Sequence, residues 1–178
     1  TGCYFGLHAQ RNAAGVGLAT TRSVVFSIVG IIALDAVVAA VVFDQAIKLW
    51  VETNMPLHSR IDLIPFLSLL HTQNTGIAFS FLSDLGSPWL GVIAIAIIVF
   101  VAVLAFRTDP HQIYARTGFA LIIGGAIGNL IDRLIGGYVV DYVYFHTPVW
   151  SFAIFNLADA FITVGAGLVI QPVGLAVL

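Results

Sequence analysis

The sequence predicts an all-α membrane protein with four transmembrane helices and a small extracytoplasmic β-structure between helices 1 and 2. Of its 178 residues, 60% are hydrophobic and only 9% are charged, and the mean hydropathy is +1.02. A soluble domain carries roughly 25% charged residues, so this chain has too few to cover a soluble surface. Apolar runs of about the 20 residues that a bilayer requires recur four times.

The predicted spans are separated by polar or proline-containing loops. They cover residues 23–51, 89–106, 117–135 and 152–170. Residues 1–22 are predicted to be an N-terminal extension, disordered or peripheral, and residues 173–178 a short C-terminal end. The membrane domain is therefore expected over residues 23–172.

The β-structure is predicted from two short β-prone runs, 66–73 and 77–82, which flank the turn sequence Asn74-Thr75-Gly76. Asn74 either serves this turn or hydrogen-bonds the backbone of a peptide substrate, and the sequence leaves both roles open. The later run 139–144 is also β-prone.

Polar residues are concentrated between Gly124 and Asp159, inside or beside apolar runs. They are Asn129, Asp132, Arg133, Asp141, Asn156 and Asp159. Ionisable residues within or beside a bilayer are costly and mark functional sites by default. Asp141 and Asp159 are the strongest candidates for chemistry.

Three acidic residues, one of them in this stretch, have open interpretations. Asp44 and Lys48 are four apart on one helical face, so they form either an interfacial ion pair or a support for the site. Asp132 next to Arg133 suggests either a structural ion pair at a helix end or a direct role in catalysis. Asp35 has no partner nearby in the sequence.

The distribution of Lys and Arg predicts the orientation. One side of the predicted membrane has Arg11, Arg22, Arg107 and Arg116, and the other has Lys48, Arg60 and Arg133. Both termini and the loop 107–116 are then cytoplasmic, and the polar residues gather near the outer face.

The cluster offers carboxylates and amides. No Ser/His/Asp arrangement and no HExxH motif is apparent, Cys3 is the single cysteine, and no basic patch for nucleic acid is found. Two adjacent carboxyl groups share a proton, so one can accept a proton from water while the other polarises a carbonyl. This chemistry predicts a protease that uses no metal and no cofactor.

Five motifs in order resemble the bacterial lipoprotein signal peptidases, also called signal peptidase II, and the resemblance spans residues 31–170. The motifs are Asp44-Gln45-x-x-Lys48, Asn74-Thr75-Gly76-x-Ala78-Phe79-Ser80, Gly124-Gly125-Ala126-Ile127-Gly128-Asn129-x-x-Asp132-Arg133, Gly137-x-Val139-Val140-Asp141 and Phe155-Asn156-x-Ala158-Asp159.

The resemblance implies that Asp141 and Asp159 are the two catalytic aspartates. The residues expected to support them or bind substrate are Asp44, Lys48, Asn74, Gly76, Asn129, Asp132, Arg133, Asn156 and Ala158. The implied substrate is a prolipoprotein whose cysteine already carries diacylglyceryl, cleaved on the N-terminal side of that cysteine. The implied setting is the bacterial inner membrane, in contact with membrane lipids, and the chain is expected to be a monomer.

A small proton- or ion-coupled transporter is the alternative, because intramembrane aspartates also mark ion paths. Such a path requires polar groups at successive depths. In this sequence the polar groups gather at one face, and only Asp35 favours transport.

Overall fold

The computed structural model describes residues 1–76, 87–109 and 111–175. Within this part of the chain it contains five helices and three strands. In order they are α1 (Gly2–Leu7), α2 (Ala13–Asn54), β1 (Arg60–Ile64), β2 (Leu67–Asn74), α3 (Ser87–Arg107), α4 (Ile113–Ile135), β3 (Val139–Phe145) and α5 (Leu157–Leu175).

Helix α2 is much longer than the first predicted span. It begins at Ala13, where the side chain of Asn12 accepts a hydrogen bond from the Gly15 amide at 2.6 Å. It ends at Asn54, shortly before Pro56, since proline disfavours helix at the residue before it. With 42 residues the helix is about 63 Å long, twice the thickness of a bilayer core. The predicted boundary at residue 22 therefore falls inside a continuous helix.

The short helix α1 folds back along the start of α2. The rings of Phe5 and Phe26 lie 5.2 Å apart, and the hydroxyl groups of Thr1 and Ser27 are 2.8 Å apart. The first residues of the chain therefore form a helical hairpin with α2.

Three helices, α2, α3 and α4, are long and apolar enough to cross a membrane by length and composition. In α5 the apolar part, Leu157–Ile170, is shorter and does not reach that length. The structure thus supports a mostly helical membrane protein with a small sheet, and the count of four spans remains a prediction.

The β-structure draws on two loops. Strand β2 lies in the middle and pairs antiparallel with both β1 and β3. The prediction of a strand near 66–73 and another near 139–144 is confirmed, but the hairpin partner of β2 precedes it in the chain, across the turn at Pro65. The other predicted strand, 77–82, lies outside the described residues. The sheet is therefore completed by β3 and does not lie only between the first two spans.

Helix α4 lies between α2 and α5, and glycines on its two sides allow the close approach. A Cβ atom at Gly124 would lie 2.7 Å from the Cβ of Ala40 in α2, and one at Gly125 would meet the carbonyl oxygen of Ala158 in α5. Small residues at helix interfaces let membrane helices pack closely. The small residues of α4 thus bring three helices together.

An apolar cluster joins the sheet to the end of α2. Val51 and Met55 pack against Val140 and Tyr142 of β3. This contact holds β3 beside the last turns of α2, and the polar residues of both elements meet as a consequence.

Candidate active site

Helix α5 begins five residues later than the last predicted span. Phe155 pairs with Val143 and Ser151 with His146, so the segment before α5 is extended along β3. Asn156 then caps the helix: its Oδ1 accepts the Asp159 amide at 3.0 Å, and its own amide donates to Asp159 Oδ2 at 3.2 Å. This reciprocal capping box fixes both side chains at the start of α5.

Asp141 lies on β3 and is only 3% exposed. Its two carboxyl oxygens accept hydrogen bonds from two amides, Asn74 Nδ2 at 2.9 Å and Asn156 Nδ2 at 2.7 Å. Strand pairing explains the first contact, because Asn74 is the last residue of β2 and pairs with Val139, two residues before Asp141. The sheet therefore delivers this carboxyl group to the start of α5.

Asp159 is held by the other end of the same network. Its Oδ1 accepts a hydrogen bond from Asn129 Nδ2 at 2.8 Å, and its Oδ2 accepts the Asn156 amide. Asn156 also donates to Asn129 Oδ1 at 3.2 Å. A single residue, Asn156, therefore binds both Asp141 and Asp159, and the structure brings the two predicted carboxyl groups into one cluster.

The buried ammonium group of Lys48, on α2, contacts this cluster. Lys48 Nζ lies 2.8 Å from Asp44 Oδ2, 2.8 Å from Asp132 Oδ2 and 2.9 Å from Asn129 Oδ1. Lys48 is 2% exposed and Asp44 is fully buried. Of the two interpretations of the Asp44–Lys48 pair, the geometry favours a support for the site over an interfacial ion pair.

The remaining oxygens of the two supporting carboxylates also have partners. Asp44 Oδ1 accepts the Ala158 amide at 3.0 Å. Asp132 accepts Gln45 Nε2 at 2.7 Å and the Val140 amide at 3.3 Å. Buried polar groups that are fully hydrogen-bonded can be retained without the large cost of unmet ones. These contacts tie α2, α4, β3 and α5 together at one level.

Asn74 serves the turn, which is one of the two roles that the sequence left open, and it also contacts Asp141. Its Oδ1 accepts the amide of Gly76 at 2.9 Å, which closes the turn, while its Nδ2 donates to Asp141. Gly76 has a φ of +94°, a conformation that glycine adopts without steric cost. The turn therefore aims the amide group at the site.

Of the two interpretations of Asp132 and Arg133, the ion pair between them is not found within the described residues. Asp132 pairs with Lys48, and Arg133 Nη1 donates to the carbonyl oxygen of Asn129 at 3.2 Å. Adjacent residues on a helix do not face each other, which explains why the carboxylate turns inward to α2 while the guanidinium follows its own helix.

Comparison with known proteins identifies the family. The family model described as signal peptidase (SPase) II matches residues 36–173. The chain belongs to the signal peptidase II family. It is 62% identical over 134 residues to a lipoprotein signal peptidase of Mesorhizobium japonicum, covering 75% of this chain and 80% of that protein. It is 58% identical over 137 residues to the lipoprotein signal peptidase of Brucella ovis, covering 77% and 86%.

A solved structure described as a bacterial membrane enzyme has the same fold. Its TM-score is 0.71 at 31% identity, covering 79% of this chain and 91% of that chain. A second family model, described as permease MlaE, matches residues 1–41, which include none of the clustered polar residues. The protein is thus a multi-pass bacterial membrane protease whose family acts on lipoproteins.

The environment of the peptidase's Asp141 changes its acidity. Burial, opposed by the hydrogen bond from Asn74 and reinforced by the nearby charge of Asp159, raises the pKa of Asp141 to about 6. Burial likewise raises the pKa of Tyr142 to about 12, so its hydroxyl stays protonated while it accepts the Leu157 amide at 3.2 Å. Asp141 therefore holds a proton far more readily than an ordinary aspartate.

Two residues of the network were missed as site candidates. Gln45 was noted only as part of a motif, yet its amide reaches Asp132 and the carbonyl oxygen of Gly128 at 3.2 Å. Tyr142 follows Asp141 directly and is buried, and its hydroxyl accepts the Leu157 amide. The signal for Gln45 was its position on the helix between two charged residues of the same motif.

The interpretation that the chain has no Ser/His/Asp arrangement also needs correction. Ser68 Oγ lies 2.8 Å from His146 Nε2 and donates to Asp62 Oδ1 at 2.6 Å. Ser68 is fully buried, and the carboxylate contacts the serine rather than the histidine. The group therefore links β2 to β1 and to the residue that follows β3, and it does not present a nucleophile.

Proposed function

We propose that this chain is an aspartic endopeptidase that removes the signal peptide from diacylglyceryl-modified prolipoproteins, cleaving before the lipidated cysteine. The observation that carries the proposal is the joint binding of Asp141 and Asp159 by Asn156. The lipoprotein signal peptidases to which the chain is 58–62% identical support the substrate class.

The proposed reaction uses the unequal acidity of the two carboxyl groups. Asp141, with its raised pKa, carries the shared proton and donates it in a hydrogen bond to the scissile carbonyl oxygen. Asp159, ionised, takes a proton from a water molecule as that water adds to the carbonyl carbon. The proton that Asp159 took from water then passes to the leaving amide nitrogen as the C–N bond breaks. The products are a carboxylic acid and an amine.

The supporting residues act by position. Asn74, Asn129 and Asn156 donate to the two carboxyl groups and hold them still. Lys48 donates to Asn129, and Asp44 and Asp132 hold Lys48 in place. Preorganised groups that need not move during the reaction lower its barrier most effectively. Gly76 and Ala158 contribute backbone contacts, and Arg133 is expected to face the substrate.

The proposed setting is the bacterial inner membrane, with both termini cytoplasmic and the site near the outer face. The excess of arginine at the end of the bundle away from the site supports this orientation. The diacylglyceryl chains of the substrate then remain among the membrane lipids while the peptide reaches the dyad. The chain is proposed to act as a monomer without a metal or other cofactor, so cleavage should proceed unchanged in EDTA.

Substitution of either dyad residue tests the proposal. Asp141→Asn and Asp159→Asn each replace an acid or base by an amide of the same size. Cleavage should fall by at least about 10²–10⁴-fold. The assay follows release of signal peptide from a purified, diacylglyceryl-modified prolipoprotein in detergent micelles containing EDTA. The matched control is Asp109→Asn, in the loop before α4, where the carboxylate accepts a hydrogen bond from the nearby His111 amide and lies outside the polar cluster.

Normal cleavage by either dyad variant would end the two-aspartate mechanism. Cleavage of the unmodified prolipoprotein at the same rate as the diacylglyceryl form would contradict the substrate assignment and leave the mechanism standing. Protein yield and helix content of each variant separate loss of chemistry from loss of fold.

A further inference from the structure

A second feature lies at the end of the bundle away from the dyad. Helices α2 and α4 run parallel in constant register near the site: Lys48 contacts Asp132, Asp44 lies against Gly128, and Ala40 lies against Gly124. One turn further on, Ala36 and Ala120 line a cleft of about 180 Å³ between the two helices.

The cleft is apolar apart from one side chain. Ala33 and Ala36 of α2 face Thr117 and Ala120 of α4, and Arg116 is the single charged residue among those that line it. The short side chains of alanine and threonine leave this space between the two helices unfilled. A cavity of about 150 Å³ with apolar walls is known to take up an apolar guest rather than water. In a membrane protein the available guest is a lipid acyl chain.

Arg116 lacks an anionic partner in the part of the chain that the structure describes. Its Nη1 donates to the carbonyl oxygen of Thr108 at 3.2 Å, while its Nε is buried without a hydrogen-bond partner. The described ion pairs involve other residues. A buried donor that is left unpaired is costly, so an anion beside Arg116 would satisfy it.

The location suits the phosphate of a membrane lipid. Arg116 precedes Asn129 by 13 residues on α4, which places it about 20 Å from the dyad level, near the opposite bilayer surface. Helix α4 begins there with no side-chain cap and no acidic residue in its first turn, so the positive end of its dipole adds to the attraction for an anion. Arg107, at the end of α3, adds positive charge.

We propose that this cleft binds one molecule of an anionic phospholipid, with an acyl chain between α2 and α4 and the headgroup phosphate on Arg116. Pockets that combine basic residues with gaps between membrane helices are suited to anionic lipid headgroups. The site lies away from the dyad and does not depend on the proposed mechanism.

The test compares lipid retention by the purified full chain. The protein in detergent is titrated with phosphatidylglycerol or phosphatidylcholine, and bound lipid is counted by native mass spectrometry. Phosphatidylglycerol should bind the wild type more tightly, and Arg116→Gln should weaken it by about fivefold. Arg107→Gln is the matched control, because it removes the same charge at the same end without lining the cleft.

A second pair of variants tests the acyl-chain part. Ala36→Leu and Thr117→Leu fill the cleft from opposite walls, so each should reduce phosphatidylglycerol binding while cleavage of prolipoprotein continues at the wild-type rate. Equal losses from Arg116→Gln and Arg107→Gln would indicate surface attraction only and overturn the site. Unchanged binding in both filling variants, equal binding of the two lipids, or competition by inorganic phosphate alone would also overturn it.

Discussion

Asp44 and Asp35 are nine residues apart on the same helix, yet their surroundings have almost nothing in common. Asp44 is fully buried and binds the Lys48 ammonium and the Ala158 amide. Asp35 is exposed, and no hydrogen bond or ion pair to it is found within the described residues. Both carboxylates interrupt apolar sequence, so apolar surroundings alone do not reveal which one belongs to a site.

The same contrast runs along the whole of α2. Its buried residues are Ala40, Asp44, Lys48 and Val51, spaced three or four apart on one face, and all lie in the second half. The signal peptidase II match begins at residue 36, and the permease match ends at residue 41. The half that packs against the bundle is thus the half that the peptidase family shares.

The largest expected effect comes from removing the ammonium group in the buried half. Lys48→Met leaves Asp44 and Asp132 facing each other without the charge that separates them. Breaking a buried ion pair on one side typically costs about 3–5 kcal/mol. We expect a loss of that size in the free energy of unfolding, measured in detergent, and cleavage below detection.

The matched control removes a cation from the other half of α2. Arg22→Gln changes an exposed residue, so stability and cleavage should stay near wild type. If Lys48→Met were as stable as Arg22→Gln, the buried network would be dispensable and the comparison between the two halves would fail.

A smaller effect is expected from a single added methyl group. In Gly128→Ala the new Cβ would lie 2.5 Å from Asp44 Oδ2, so the carboxylate must move away from Lys48. Overpacking of this kind costs about 1–3 kcal/mol. The control is Gly30→Ala, in the exposed first half of α2. There the added Cβ meets nothing within 4 Å, so stability should change by at most about 1 kcal/mol. Thermal unfolding of both variants in the same detergent makes the comparison, and equal melting temperatures would contradict it.

The next effect is on pH dependence rather than stability. Because burial raises the pKa of Asp141 to about 6, the protonated form is lost as pH rises through that value, and kcat/KM should fall there. The hydrogen bond from Asn74 lowers this pKa, so Asn74→Ala should move the falling limb to higher pH, by up to about one pH unit. Asn54→Ala, at the exposed end of α2, should leave the limb in place.

The pH profile also distinguishes the two carboxyl groups. If Asp141 acted as the ionised base, kcat/KM would rise rather than fall through about pH 6. Asp62 provides a contrast within the same sheet, since hydrogen bonds from Ser68 and Arg60 lower its pKa. Burial, and not membership of the sheet, is therefore the property that raises the pKa of Asp141.

Much of the fold was predictable because long apolar runs indicate membrane-spanning segments directly. The spans now seen as α3 and α4 were predicted within a few residues, and the β-prone run of β3 was recognised. The start of α5 was missed because Phe152 and Phe155 are as apolar as a helix, while their pairing with β3 is a tertiary effect. The pairing of β1 with β2 was missed for a different reason: the turn sequence at Asn74 was a stronger local signal than the turn at Pro65.

The membership of the site was more predictable than its contacts. Residue type and position singled out Asn129, because polar groups in apolar sequence need partners, whereas the supporting role of Asp44 and Lys48 was implied only by the family resemblance. Which partner each one takes depends on helix rotation and register, and Asp132 pairs with Lys48 of another helix although Arg133 is its neighbour in the sequence. The roles of Gln45 and Tyr142 required coordinates because polar and aromatic residues near membrane surfaces are common.

The smallest expected effect is at Asp35. Asp35→Asn removes a carboxylate that touches none of the described polar groups and lies about 14 Å along α2 from Asp44, so cleavage should stay within about twofold of wild type. A charged residue at the centre of a membrane helix costs roughly 2.5–3.5 kcal/mol, so yield of the variant should be equal or higher. Cleavage and proton flux are measured on the same protein in liposomes.

Asp44→Asn, the partner variant, should lose cleavage because Lys48 loses one of its two carboxylates. Loss of cleavage in Asp35→Asn would show that the exposed half of α2 contributes to the reaction, and proton flux abolished by the same change would favour transport.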